Sequence, residues 1–175
     1  FEHLTAKIGQ LQQTDVPVTD KNIVVVLCAD NGIVEEGISQ SDQSVTAVCA
    51  KNIARGRSTV GIMARSIGAE VAAIDIGINS KEQFEGVEDK KISYGTKNFA
   101  KEPAMTIEQV KQAIDTGKRL VKKYKDAGYG MIATGEMGIG NTTTSSAVAA
   151  ALLGCGAKDV TGKGAGLPDE KIKHK

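Results

Sequence analysis

The sequence predicts an α/β fold, an open, mainly parallel sheet with helices on both faces in a Rossmann-like three-layer arrangement. Three observations predict it. Short apolar runs with strand character recur at residues 23–28, 71–76 and 130–134. Segments whose apolar residues repeat at helical spacing separate them. Each apolar run also gives way to an acid near a glycine: Asp30 and Gly32, Asp75 and Gly77, Glu136 with Gly135 and Gly138. Strands alternating with helices imply βαβ units and right-handed crossovers.

Taken in order, Ile23-Val24-Val25-Val26-Leu27-Cys28 is β-branched, continuous and bounded by polar residues, as a strand buried on both faces requires. Val45, Val48, Cys49 and Ile53 form a helical stripe that Arg55-Gly56-Arg57 interrupts. Ser58 offers a new N-cap for a helix over 59–66, which Gly68 ends. Residues 71–76 form a weaker strand signal, and the polar stretch 79–103 reads as a surface excursion with room for one extra strand. Thr106 and Gln109 have the spacing of a capping box. Behind it Ile107, Val110, Ile114, Val121 and Tyr124 recur at helical spacing, opposite a lysine-rich face, until Gly128. After the third strand signal comes a glycine–threonine run at 134–144, then an alanine-rich helix over 145–153. The run Gly162-Lys163-Gly164-Ala165-Gly166-Leu167 reads either as a second anion loop or as a plain flexible one. Pro168-Asp169-Glu170 after it resembles the first turn of a helix.

Composition narrows the function. Apolar content of 41% and charged content of 25% are those of a soluble globular protein. A net charge of +1 argues against nucleic acid or a membrane as partner. Aromatics at 3%, without tryptophan, argue against a base-stacking platform. Cys28, Cys49 and Cys155 are odd in number and widely spaced, so they read as buried residues in a reducing, cytoplasmic setting. No stretch approaches membrane-spanning length. Phe1 is not an initiator methionine and residues 171–175 look like an unfinished helix, so the chain is expected to be a piece of something longer.

The glycine–threonine run carries the chemistry. Strand, glycine-rich turn and helix together aim backbone N–H groups at an anion. Glu136 within that run would repel a phosphate, so the turn is expected to handle more than a phosphate. If the strand-end acids Asp30, Asp75 and Glu136 share one crevice, they mark the site. The alternatives are that each aspartate only accepts backbone N–H groups in its own turn, and that Glu136 caps a helix. No Walker-type loop and no Gly-x-Gly-x-x-Gly after a strand is present. His3 and His174 lie at opposite ends and no Cys/His cluster has ligand spacing, so no metal is expected, nor any cofactor. There is no Gly-x-Ser-x-Gly elbow. Glu35-Glu36-Gly37 is either a catalytic pair or solvated surface.

Residues 29–39 (Ala29-Asp30-Asn31-Gly32 through Gly37-Ile38-Ser39), Val45-Thr46-Ala47, Gly68-Ala69-Glu70-Val71 with Asp75-Ile76-Gly77, residues 135–143, and Gly164-Ala165-Gly166-Leu167 resemble signatures of the nicotinate-nucleotide–dimethylbenzimidazole phosphoribosyltransferase family. The resemblance covers nearly the whole chain. It implies transfer of a phosphoribosyl group from nicotinate mononucleotide to dimethylbenzimidazole or a related base. The products are α-ribazole phosphate and nicotinate, in assembly of the cobalamin nucleotide loop. It also implies a metal-free, homodimeric enzyme with small-molecule substrates and a small helical domain built from both chain ends. Residues 1–20 would belong to that domain, which is otherwise largely missing, and 21–175 to the α/β core. By position the resemblance places Glu136, Gly138, Asn141, Thr142, Gly164, Gly166 and Lys175 at the nucleotide, with Lys175 on the phosphate side, and Ser41 near the benzimidazole. Asp30 joins them as a substrate-binding candidate from its place at a strand end. Family members often carry histidine at Asn31 and some carry glutamine at Cys49, which bears on the acceptor base. Full members are longer, and their general-base glutamate belongs beyond Lys175. The catalytic residue is therefore unassigned, and a nucleotide-binding half-site with little or no transferase activity is expected. A non-catalytic nucleotide-binding or regulatory module is the alternative, and an unrelated phosphate-binding enzyme such as a kinase is disfavoured by the lack of a Walker lysine.

Overall fold

The computed structural model describes residues 1–175 and contains one parallel sheet. Its strands are β1 (Asn22–Ala29), β2 (Glu70–Gly77), β3 (Val87–Asp89) and β4 (Met131–Met137), in the spatial order β3-β2-β1-β4. The helices are α1 (Glu2–Gln12), α2 (Ser44–Ala54), α3 (Thr59–Ser66), α4 (Ile107–Asp126), α5 (Asn141–Leu153), α6 (Ala157–Val160) and α7 (Asp169–Ile172). A short 3₁₀ turn, Gly32–Glu36, follows β1. The α/β expectation holds, and the extra strand in the polar excursion is β3. No helix is long and apolar enough to cross a membrane.

β1 is hydrogen-bonded on both sides, which is why its sequence is almost unbroken apolar. Its side chains alternate between two cores. Val26 and Cys28 meet Ala50 and Ile53 of α2, with Val60 of α3 at the margin. Ile23 and Val25 turn to the opposite face and meet Leu120 and Tyr124 of α4. Helices therefore cover both faces. Burial pushes the Cys28 thiol up to about 12, so this cysteine is packing and not a nucleophile.

The helix ends follow the sequence. Ser58 accepts the Gly61 N–H at 3.2 Å. Thr106 and Gln109 make both bonds of the capping box, at 3.2 and 2.8 Å. The faces the helices bury share only Ile53 and Tyr124 with the predicted stripes. In α4 the sheet takes Thr116, Leu120 and Tyr124, while Ile107, Val110, Ile114 and Val121 stay substantially exposed. In α2 it takes Thr46, Ala50 and Ile53, leaving Val48 exposed. Apolar spacing finds a stripe, but docking onto a twisted sheet decides which turns reach it. α4 packs through its last turns, where Tyr124 meets Tyr129 edge-on at 5.5 Å.

Chain direction across the sheet reverses beside β1. From β1 the chain moves outward to β2 and β3, then α4 carries it back to β4 on the other side. The carboxyl ends of β1 and β4 thus flank a topological switch point, the place where an open parallel sheet leaves a crevice.

Candidate functional site

A cavity of about 220 Å³ lies at that switch point. Its walls are the turn after β4 with the start of α5, the segment after the 3₁₀ turn including Ser41, and Lys163, Ala165, Leu167 and Lys175. β4 runs two residues beyond the first strong turn signal, so Gly135 and Glu136 belong to the strand and the turn proper is residues 138–140. Alternation along the strand, more than the turn, therefore directs Glu136.

The turn is built by close approach. Gly138 is buried, and a Cβ there would lie far inside contact distance of the Ala29 carbonyl oxygen and 2.9 Å from Asn31 Nδ2. Gly140 has φ 90°, a left-handed conformation that favours glycine. Two buried side chains then fix the peptide groups of Ile139. Thr46 Oγ1, fully buried, accepts the Ile139 N–H at 3.1 Å. Asn31 Nδ2 donates to the Ile139 carbonyl at 3.2 Å, and Asn31 Oδ1 accepts the Thr144 hydroxyl at 2.9 Å. Sequence reading missed Thr46 as a site support; its one signal was a polar residue on the buried face of α2.

The N-terminus of α5 is less open than strand–turn–helix reasoning implies. Asn141 N–H goes to the Gly138 carbonyl, Thr143 N–H to the Gly140 carbonyl, and Thr142 N–H to the Asn141 side-chain oxygen. The N–H groups without a protein partner belong to Gly138 and Gly140. Thr143 Oγ1 is buried and also unpartnered. These donors share the cavity with Lys175, whose ammonium donates to Thr142 Oγ1 at 2.7 Å and to the Gly162 carbonyl at 3.0 Å. Both partners are neutral, and partial burial holds the Lys175 ammonium below its ordinary value. A desolvated cation without a counter-charge, beside free N–H and O–H donors, is complementary to an anion.

Gly164 and Gly166 carry the closing segment across the cavity. A Cβ at Gly164 would sit 2.6 Å from Thr142 Oγ1. Gln40 Nε2 donates to the Gly166 carbonyl at 2.9 Å, and His174 Nε2 meets the Glu36 carbonyl at 2.6 Å. The predicted loop 162–167 is therefore a folded part of the wall, with Leu167 buried.

The three strand-end acids do not meet in one crevice. Asp75 lies inside β2, where Oδ1 accepts the Gly77 and Ile78 N–H groups and Oδ2 pairs with Lys91 at 2.7 Å. Asp30 accepts the Asn79 N–H at 2.7 Å and lines a different cavity. The turn-forming alternative describes Asp75 well. Glu136 alone stays beside the switch point, hydrogen-bonded by Asn141 Nδ2. It also borders a neighbouring open cavity of about 500 Å³ with Cys49, Asn52 and Arg57, which shares Met137 with the first. The pair Glu35–Glu36 is surface structure, bound to Lys101 and Asn98. The chain has no group of three or more His, Cys, Asp or Glu placed to hold a metal ion.

Desolvation raises the Glu136 carboxyl above its ordinary value, and the Asn141 hydrogen bond partly offsets this. The folded chain thus holds this proton more tightly than the unfolded chain. Stability is lost as pH rises from the unfolded carboxylate range through the raised folded value. Glu136→Gln is expected to match the parent at acid pH and to exceed it in thermal stability above that window. Melting curves between about pH 4 and pH 7 check this. A stability difference that does not grow with pH contradicts it.

The family model described as phosphoribosyltransferase matches residues 1–175. A Clostridium perfringens protein called nicotinate-nucleotide–dimethylbenzimidazole phosphoribosyltransferase is 46% identical over 156 residues, 89% of this chain and 43% of its own. A protein of the same name from Acetivibrio thermocellus is 40% identical over 175 residues, all of this chain and 50% of its own. The crystal structure of CobT from Thermus thermophilus superimposes with a TM-score of 0.93 at 33% identity, covering 99% of this chain and 52% of that one. The chain spans about half the length of the curated relatives it matches.

Proposed function

The chain belongs to the phosphoribosyltransferase family whose model matches it from residue 1 to 175, and on that premise we propose that the switch-point cavity binds the phosphate end of a nicotinate mononucleotide. The observation that carries this is the Lys175 ammonium, bonded only to neutral oxygens beside the free N–H groups of Gly138 and Gly140. In this reading Lys175, the turn amides and Thr143 take the phosphate. Thr142 and Asn141 line the same wall, and Gly164 and Gly166 shape the segment that closes it. Glu136 lies beside the ribose, and Ser41, which the resemblance assigns to the benzimidazole, lines the phosphate cavity itself.

The reaction supported is the one in the relatives' name. The phosphoribosyl group of nicotinate mononucleotide passes to dimethylbenzimidazole or a related base, and nicotinate leaves. The cavity bordered by Glu136, Cys49 and Arg57 is the adjoining space for the acceptor. Homodimeric assembly and a cytoplasmic location belong to the same reading. So does a role for residues 1–20 in a small helical domain. In this reading the residues of the cavity hold the nucleotide. Asp75 is committed to Lys91 and to backbone N–H groups, so it is not a candidate base.

Lys175→Ala is expected to weaken nicotinate mononucleotide binding by about 10- to 100-fold, the value of a charge-assisted hydrogen bond. Titration calorimetry reads this directly, and unchanged affinity would sink the assignment. Incubation with nicotinate mononucleotide and dimethylbenzimidazole, assayed for nicotinate and α-ribazole phosphate, distinguishes transfer from binding alone.

A further inference from the structure

Asp30 is 2% exposed, yet one of its two carboxylate oxygens has no partner. Oδ2 accepts the Asn79 N–H, and Oδ1 is left bare. A buried carboxylate oxygen in that state is costly unless something outside the chain meets it. Asp30 lines a cavity of about 270 Å³ that has no residue in common with the nucleotide cavity. Two other carboxylates line it, and each already has a lysine partner. Glu35 pairs with Lys101 at 3.1 Å and Glu102 with Lys97 at 2.6 Å. Asp30 is the one carboxylate of this lining without a cationic partner.

The remaining lining is rich in neutral oxygen. Gln43 spends its Nε2 on the Asn31 carbonyl at 2.9 Å, which leaves its side-chain oxygen available. Thr96 Oγ1 accepts the Gly32 N–H at 3.1 Å and keeps a second lone pair. The Asn79 side chain adds another amide oxygen. We propose that this cavity is a binding site for one univalent cation of the potassium or ammonium type, with Asp30 Oδ1 as its charged ligand. A divalent ion fits poorly. Its sites gather several carboxylates, and here only one is free. Through Gln43 and Asn31 the site also joins the hydrogen-bond network that holds the Ile139 turn.

The test is thermal unfolding of the unaltered chain in potassium, ammonium and choline chlorides at matched ionic strength. A saturable rise of about 2–4 °C in potassium or ammonium over choline is expected, the size mass action gives for a weakly held ion. Asp30→Asn should abolish that rise. Equal melting in all three salts overturns the proposal, as does a rise that survives Asp30→Asn; Oδ1 is then met by water. Should Asp30→Asn fail to fold, crystals of the unaltered protein soaked in thallium(I) decide. An anomalous peak in contact with Asp30 Oδ1 supports the site, and water alone there overturns it.

Discussion

Gly138→Ala is expected to weaken nucleotide binding by at least about tenfold while leaving a destabilised but folded chain. The added methyl would have to occupy the space of the Ala29 carbonyl oxygen, with Asn31 Nδ2 and the Glu136 carboxylate on its other sides at 2.9 and 3.1 Å. Ala29 ends the central strand and is hydrogen-bonded into the sheet, so it cannot retreat without breaking register with β2. The turn must move instead. That displacement pulls Ile139 off Thr46 and Asn31, and takes the Gly138 and Gly140 N–H groups away from Lys175. Overpacking of this kind costs about 1–3 kcal/mol in stability. Misplacing the donors costs at least about tenfold in affinity. Calorimetric titration with nicotinate mononucleotide, alongside urea unfolding, measures both. Parental affinity in Gly138→Ala would show that the turn amides are not donors.

Asp75→Ala is expected to give the largest loss of stability, about 3–5 kcal/mol, because it leaves the Lys91 ammonium without its partner in a largely buried place. The Lys91 side chain is 15% exposed and also donates to the Ile78 carbonyl at 2.5 Å. Removing the carboxylate also leaves the Gly77 and Ile78 N–H groups without their acceptor. Those groups hold the chain as it leaves β2 for the excursion that packs against Asp30 and Gly32. Asp75→Asn keeps one acceptor oxygen for the N–H groups and should lose less than Asp75→Ala. Equilibrium unfolding of both variants tests the ranking. Equal stability of parent and Asp75→Ala would show the pair to be energetically neutral.

Strand content and order of elements were legible because a doubly buried parallel strand leaves a continuous apolar signature, as in residues 23–28. The capping box at Thr106 was legible because its two bonds are local. Helix faces were not. Of the stripe Ile107, Val110, Ile114, Val121 and Tyr124, only Tyr124 is buried, and Leu120 joins it from outside the stripe, a choice made by tertiary docking. The glycine–threonine run lines the switch-point cavity, as strand–turn–helix order suggests. The grouping of Asp30, Asp75 and Glu136 failed because residues at strand ends share an edge of the sheet without sharing a side of it. Asp75 points to Lys91, and Asp30 to the cavity beside Asn79. Thr46 and Asn31 were illegible as supports because their partner, Ile139, lies 93 and 108 residues away.

Those separations bear on how the protein acquires its site. The turn at Ile139 is held only when chain segments about a hundred residues apart have met, and β4 joins the sheet solely through β1. Closing so long a loop is entropically the slow part of folding, and no local fragment is rewarded for doing it early. The arrangement of free N–H groups at the turn is therefore absent until those segments meet. They are in place only once β4 has paired with β1 and α2 has met the turn, so the geometry of the cavity is a product of long-range contacts and not of its own local sequence.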